Sequence, residues 1–331
     1  MSAPVLTVVI PAYNEEACLE ELFRRLKVIL EEVGEEYEIL FVDDGSDDST
    51  FEKLRMISAE DRRVRTFRFS RNFGHQAALS AGLERSRGQA VITMDADLQH
   101  PPEIIPELVE KWRKGHEVVL TIRRDTADST PLKNLTARFF YRMINLLSPT
   151  PITPGAADFR LLDRKAVDAL NAMPEKARFF RGLVPWIGFR QTEVSFEAPE
   201  RFAGTTKYSY RKMFRLALHG ILSLSAVPLR LATLVGAAVV TFGLMYGAYV
   251  VWTAFTNPAS QKGWASIQIF VLLLGGTQIF FMGIIGEYIA RVFEEVKGRP
   301  LYIIAETLGD PAEVDSSTDP TSEDPGPRTV P

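Results

Sequence analysis

Short apolar runs and amphipathic stretches alternate along the first third of the chain. Residues 5–10 are apolar and largely β-branched, and they end in Pro11-Ala12-Tyr13-Asn14-Glu15. Leu19, Leu22, Phe23, Leu26, Ile29 and Leu30 then recur at the spacing of one helical face, which predicts a helix over 16–32. A buried strand at 37–42 follows, closed by Asp43-Asp44-Gly45-Ser46-Asp47-Asp48-Ser49-Thr50, where Ser49 or Asp48 suits a helix cap. Strands at 64–69, 90–94 and 118–122 and helices at 77–85 and 102–114 complete the alternation. Near-continuous apolar strands joined by helices predict an α/β domain with a mostly parallel sheet covered on both faces.

Beyond residue 123 the pattern is less regular. Lys133, Arg138 and Arg142 fall on a predicted helix over 131–147, and a breaker-rich loop at 149–154 precedes Gly155-Ala156-Ala157-Asp158-Phe159-Arg160. Residues 179–189 are strongly aromatic, as a core segment or a surface resting at a membrane interface would be. Residues 210–224 set Arg211, Lys212 and Arg215 among Met213, Phe214, Leu216 and Leu218, the composition of a helix lying in a headgroup layer. Residues 231–255 and 264–286 contain no charge, and each is long enough to cross a bilayer. Gly236, Gly243 and Gly247 give the first of them small faces for close helix packing.

Arg211, Lys212, Arg215 and Arg230 precede the first span, Arg291, Lys297 and Arg299 follow the second, and the intervening 257–263 holds only Lys262. By the positive-inside rule both flanks, and with them both termini, are expected in the cytoplasm. The N-terminus has neither the basic nor the apolar region of a signal peptide, which gives the same expectation. The organisation expected is a cytoplasmic domain over 1–206, an interface helix over 207–226, two membrane helices within 227–290, a cytoplasmic segment over 291–305 and a disordered, Asp-, Ser-, Thr- and Pro-rich tail over 306–331.

Composition narrows the function. A formal net charge of −4 on 331 residues argues against a nucleic-acid partner. The single cysteine, Cys18, excludes an intramolecular disulfide. No G-x-G-x-x-G follows the first strand and no G-x-x-x-x-G-K-[ST] occurs, so Rossmann dehydrogenases and P-loop NTPases are disfavoured.

The chemistry gathers at strand ends. The strand at 90–94 stops in Asp95-Ala96-Asp97, with Gln99 and His100 before Pro101-Pro102. Carboxylate and amide oxygens suit hard divalent cations, and the C-terminal ends of parallel strands share one ligand-binding rim. A solvated loop would explain one Asp-x-Asp. Glu15, then Asp43 and Asp44, then Asp95 and Asp97 mark three strand ends and fit a ligand with ribose and sugar hydroxyls and a metal-bridged diphosphate. Asp158, among small and apolar neighbours, is a further catalytic candidate. Arg201 and Lys207 flank Gly204 in a loop suited to closing over a phosphate.

In this order, Pro11-Ala12-Tyr13-Asn14-Glu15, Val42-Asp43-Asp44-Gly45-Ser46, Ser70-Arg71-Asn72-Phe73-Gly74, Asp95 to Pro101, Ala157 to Arg160 and Arg201 to Tyr208 resemble the motifs of a family 2 glycosyltransferase of the polyprenyl-phosphate type, relatives of dolichyl-phosphate mannose synthase, over about residues 5–300. The resemblance implies a GT-A-type domain that binds a nucleotide sugar, and its two C-terminal spans resemble the bacterial branch acting on undecaprenyl phosphate. It implies that Pro11, Tyr13, Glu15, Asp43 and Asp44 hold the nucleoside. Asp95, Asp97 and Gln99 would hold Mg²⁺ or Mn²⁺ and the diphosphate, with Asp95 also touching the donor. Asp158 would face the transferred sugar and act with Asp95 and Asp97 in catalysis, and Arg201 and Lys207 would bind phosphate. Arg123, Arg124, Arg138, Arg201 and Lys207 are the basic set expected to receive the acceptor phosphate. His75 stands where a lysine is frequent, and Thr206 where a serine is. The activity implied is inverting transfer of a sugar, glucose from UDP-glucose first, to polyprenyl phosphate at the cytoplasmic membrane face, by a chain whose small-residue faces suit a homo-oligomer. Mannose from GDP-mannose, and a non-catalytic membrane subunit, are the alternatives.

Overall fold

The computed structural model describes residues 4–124, 153, 155–176, 178–197, 227–256 and 263–309. The predicted 131–147 and 210–224 helices lie outside these residues.

The alternating third folds as its periodicity predicts. β1 (Leu6–Ala12), α1 (Leu19–Val33), β2 (Tyr37–Asp43), α2 (Thr50–Glu60), β3 (Val64–Phe69), α3 (His75–Arg85), β4 (Ala90–Thr93), a 3₁₀ turn (Pro102–Ile104) leading into α4 (Ile105–Arg113), and β5 (Val118–Arg124) follow in order. Every residue of β1, β2 and β4 is buried, because helices cover both faces of the sheet. Leu19, Leu22, Leu26 and Leu30 of α1 pack with Ile39 and Phe41 of β2 in the largest apolar cluster. Each such side chain contributes about 1.5–3 kcal/mol by leaving water.

α1 begins at Leu19, three residues later than its apolar spacing suggests. The turn before it is pinned elsewhere. The Asn14 N–H donates to Ser46 Oγ at 3.0 Å, the Glu15 N–H to Thr50 Oγ1 at 2.9 Å, and the Asp47 N–H to Asn14 Oδ1 at 3.0 Å. Ser49 takes the N-cap position of α2, but it is Asp48 Oδ1 that accepts the Thr50 N–H, at 3.0 Å.

Beyond β5 come β6 (Ala156–Asp163), α5 (Arg164–Asn171), α6 (Phe180–Trp186) and β7 (Gln191–Glu197). The single sheet has the order β7-β5-β6-β4-β1-β2-β3-β8, where β8 (Ile304–Leu308) returns from the far end of the chain. Only β6 and β8 run against the rest, so the sheet is mostly parallel, as expected. Two features depart from the pattern reading. β6, the strand carrying Asp158, inserts antiparallel between β4 and β5. The expected boundary at 305/306 falls inside β8, so residues 306–308 belong to the folded sheet and not to a tail.

The uncharged stretches form α7 (Val227–Thr256) and α8 (Trp264–Val296). The apolar windows Ala232–Tyr249 and Leu273–Val296 are long enough to cross a membrane, and among the described residues no part of either is buried. A soluble core helix would be covered; here Leu244 is 72% exposed and Phe255 85%. Thr233, Thr241 and Thr256 return their hydroxyls to the carbonyls of Leu229, Ala237 and Trp252, satisfying each polar group inside its own helix. The two helices meet through Phe270, whose ring lies 4.7 Å from that of Tyr246 and 6.1 Å from that of Phe242. A side chain at Gly236, Gly243 or Gly247 would meet nothing within 4 Å among the described residues, so these small faces do not form the contact within the hairpin.

Candidate active site

Four loops build a cleft of about 290 Å³ at the C-terminal ends of β1, β2, β3 and β4, lined among others by Pro11, Tyr13, Glu15, Asp44, Asp95 and Asp97. Six of the sequence-predicted residues therefore share one wall. Each is held by a local cause. Asp44 is buried and accepts the N–H of Phe73 at 2.6 Å and of Gly74 at 2.9 Å, which fixes the loop after β3 against the loop after β2. Gly45 brings those loops together: it sits at φ +68, and a Cβ there would stand 2.5 Å from the Arg71 carbonyl carbon. Asn14 and Leu98, both beside the cleft, take left-handed backbone at φ 55 and 61, as non-glycine residues seldom do except at functional turns.

Asp43 does not line the cleft. It is fully buried under the loop and accepts from the Ser46 N–H at 3.1 Å and the Ser46 hydroxyl at 2.5 Å, with Arg68 Nε 3.4 Å away. Burial pushes both the Asp43 and the Asp44 carboxyl above the ordinary range, against the hydrogen bonds they accept.

Asp95 is the end of a chain of hydrogen bonds. Gln76 Oε1 accepts the Phe180 N–H at 3.2 Å, so the amide nitrogen of Gln76 donates to His75 Nδ1, also at 3.2 Å. The His75 proton then lies on Nε2, 2.8 Å from Asp95 Oδ1. The Asp95 backbone N–H donates to His100 Nδ1 at 2.9 Å, and His100 stacks on Phe159 of β6 with ring centroids 5.3 Å apart. Partial burial opposes the charge on Asp95. The His100 and His75 rings and the Arg181 guanidinium outweigh it and hold the carboxyl well below the usual carboxylate range. Asp97 Oδ1 accepts the Gln99 N–H at 3.1 Å, which closes the turn around Leu98.

Asp158 lies on β6 beneath this wall and does not line the cleft. Arg160 Nη2 approaches its Oδ1 at 2.5 Å and Arg181 Nη2 its Oδ2 at 3.0 Å. Burial would raise its pKa; Arg160, Arg181 and then His75 overcome that and keep it below the ordinary range. A carboxylate so held stays ionised and is a weak proton acceptor. Sequence reading missed Arg160, Arg181 and His75 as partners. One signal was legible: Asp158 and Arg160 stand two apart on a strand and share a face.

The basic set is only partly visible. Arg123 is exposed, and its Nη1 donates to Gln99 Oε1 at 3.3 Å. Arg138, Arg201, Lys207 and the side chain of Arg124 lie outside the described residues. No group of three or more His, Cys, Asp or Glu side chains among the described residues is arranged to hold a metal. Asp95 and Asp97 nevertheless offer carboxylate oxygens at the cleft wall, the donor chemistry of Mg²⁺ or Mn²⁺. Gln99, whose amide oxygen accepts from Arg123, does not line that wall.

Comparison with known proteins agrees with this geometry. Residues 7–170 match the model of glycosyl transferase family 2, and residues 227–292 match the GtrB C-terminal hairpin. An uncharacterized glycosyltransferase, sll0501, of Synechocystis is 44% identical over 304 residues, covering 92% of this chain and 96% of its own. The SfII prophage-derived bactoprenol glucosyl transferase of Shigella flexneri is 38% identical over 301 residues, covering 90% and 97%. Glucosyl-3-phosphoglycerate synthase of Mycobacterium tuberculosis, solved with Mn²⁺, UDP-glucose and phosphoglyceric acid, is 20% identical with a TM-score of 0.44, over 67% of this chain and 78% of that one. That last likeness is too loose to assign a donor or a metal. Identity near 40% along almost the whole length, with the acid-bearing strand ends and the hairpin both matched, places the chain in glycosyl transferase family 2, as a glycosyltransferase with a GtrB-type C-terminal hairpin.

Proposed function

We propose that this enzyme transfers a sugar, with inversion, from a nucleotide sugar to polyprenyl phosphate at the cytoplasmic face of the membrane, with glucose from UDP-glucose and undecaprenyl phosphate as the preferred pair. One observation carries the reading. The acid-lined cleft belongs to a chain that continues into an apolar hairpin left uncovered by the other described residues. A soluble acceptor would give that hairpin no purpose; a lipid phosphate at headgroup level does. The relatives named bactoprenol glucosyl transferase support the acceptor and the sugar. The basic flanks of the spans support cytoplasmic termini, with residues 1–206 as the catalytic unit and 207–226 as an interface helix. The glycine faces of α7 remain open to a second copy.

In this reading Pro11, Tyr13, Glu15 and Asp44 cradle the nucleoside, while Asp43 acts from below by fixing Ser46. Asp95 and Asp97 would hold Mg²⁺ or Mn²⁺, which when bound screens the charge growing on the departing diphosphate. His75, aimed by Gln76, sets the rotamer of Asp95. A phosphate monoester has a second pKa of about 6 and reaches the site ionised, so the acceptor needs no strong base. Asp158, held by two arginines, orients the sugar or the acceptor instead. Arg123, with Arg124, Arg138, Arg201 and Lys207, supplies the positive field for the acceptor phosphate.

Membranes containing the chain, incubated with undecaprenyl phosphate and a panel of labelled nucleotide sugars with and without Mg²⁺, test the reading. A Mg²⁺-dependent lipid-soluble product from one donor is expected. Donor hydrolysis with no lipid product from any donor would sink it.

A further inference from the structure

The strand that returns from the membrane hairpin reaches the donor side of the molecule. β8 pairs antiparallel with the outer edge of β3, and its register slips there: Arg68 faces Glu306 and Phe69 faces Ile304. Ala305 is the extra residue, unpaired and exposed, of a β-bulge, a device that re-aims one position out of a ladder. It is re-aimed into a cavity. A second hollow, of about 370 Å³, is lined by Ser46, Arg71, Ala305 and Glu306 among others, and shares Tyr13 and Asn72 with the cleft that holds Asp95 and Asp97. The two adjoin along one trough, the first lined mainly by acids and the second by Ser46, Ser70 and Asn72 together with Arg68, Arg71, Asp47 and Glu306.

The bulge is clamped on both sides. Before it, Tyr302 stacks on Phe69 with centroids 4.9 Å apart, and its hydroxyl accepts from Arg85 at 2.9 Å and donates to Glu84. The Ser70 N–H donates to the Ile303 carbonyl at 3.0 Å, tying β8 to the loop whose amides hold Asp44. After it, Glu306 pairs with Arg55 of α2 at 2.6 Å.

We propose that β8 walls the outer edge of the nucleoside site, where the hollow beside Tyr13 continues the cleft holding Pro11, Glu15 and Asp44, with Ala305 as the residue that sets its depth, a reading that rests on the nucleotide-sugar donor proposed above. The volume suits a small ligand, the partly exposed Tyr13 ring offers a stacking face, and the hydroxyl and backbone groups around it suit the edges of a base and a ribose. The membrane hairpin then completes the donor site as well as anchoring it, because the chain must pass through α8 to deliver β8.

The full-length chain in detergent, titrated calorimetrically with UDP and with GDP, tests the assignment in a series at one position: Ala305→Ser, Ala305→Leu and Ala305→Trp. The position is exposed and unpaired, so unfolding temperatures are expected to stay together while affinity for the nucleotide falls with side-chain size, by about tenfold or more for Trp. Flat affinity across the series overturns the assignment, and so does a loss that tracks a falling unfolding temperature. If the wild-type chain binds neither UDP nor GDP, the donor reading itself fails, and the wall assignment with it.

Discussion

Arg181 donates from Nη2 to Asp158 Oδ2 at 3.0 Å, and it joins a strand in the middle of the sheet to a helix 23 residues further on. The same guanidinium helps hold Asp95 ionised. The carboxylate expected to face the sugar and the one expected at the diphosphate thus share a cation, and each depends on the other's placement.

Asp158→Asn keeps the shape and removes the charge. Arg160, only 3% exposed, would then be a buried cation without its main partner. Breaking such a pair costs about 3–5 kcal/mol, and misorientation at the reacting centre costs roughly 10²-fold in turnover. Loss of both is expected, with an unchanged shape of the pH–rate profile. Recovery at alkaline pH would mark Asp158 as a base instead.

Chelation and substitution separate the metal from the fold. Washing with EDTA is expected to lower transfer by roughly 10²-fold, with recovery on adding Mg²⁺ or Mn²⁺. Asp97→Asn should raise the metal concentration needed for half-maximal rate without moving the unfolding temperature, since among the described residues Asp97 receives only a local turn hydrogen bond. An unchanged metal requirement would remove Asp97 from that role.

The parallel half of the sheet was legible because its strands are local units, each closed by a helix whose apolar face repeats in register with it. β6 was not: its place between β4 and β5 is decided by pairings with segments far away in the chain, which no local period encodes. β8 is only five residues long and follows α8, too short to announce itself. At the site, Glu15, Asp44, Asp95 and Asp97 were legible because acids that end apolar strands have one place to go. Asp43 follows the same rule and yet turns inward to Ser46, since adjacent residues in extended chain point to opposite sides. His75 and Arg181 arrive from helices, where nothing in their spacing points at a carboxylate.

Gly45→Ala tests the junction of the loops. The added Cβ would press on the Arg71 backbone in a left-handed conformation, so either the loops part or the strain stays, at a cost of about 1–3 kcal/mol. Nucleotide affinity is expected to fall together with the unfolding temperature. Retention of both would show that the Arg71 loop yields freely.

Stability should carry an acid limb from Asp61. Hydrogen bonds from Arg63 lead, burial opposes them, and the Arg63 N–H and Lys27 add to them, taking the carboxyl from 3.8 to about 2. Its folded pKa lies below its unfolded one, so its stabilisation is complete above pH 3.8 and is lost as the pH falls toward about 2. Allowing for the partly exposed Arg63, it amounts to about 1–2 kcal/mol. Unfolding temperatures of wild type and Asp61→Asn should differ at pH 5 and converge near pH 2; a gap constant across that range would refute the attribution.

Leu244 and Met56 are 72% and 62% exposed, and only their solvent differs in this reading. Leu244 lies in the uncharged part of α7, where an arginine would have to enter the hydrocarbon at a cost of roughly 2.5–3.5 kcal/mol. Met56 lies on α2 of the transferase domain, where exposed substitutions change stability by about 0.5 kcal/mol or less. Alkaline extraction of membranes is therefore expected to release more of the Leu244→Arg chain than of wild type, and to release Met56→Arg no more than wild type. Equal retention of all three would mean that the exposed face of α7 does not meet lipid.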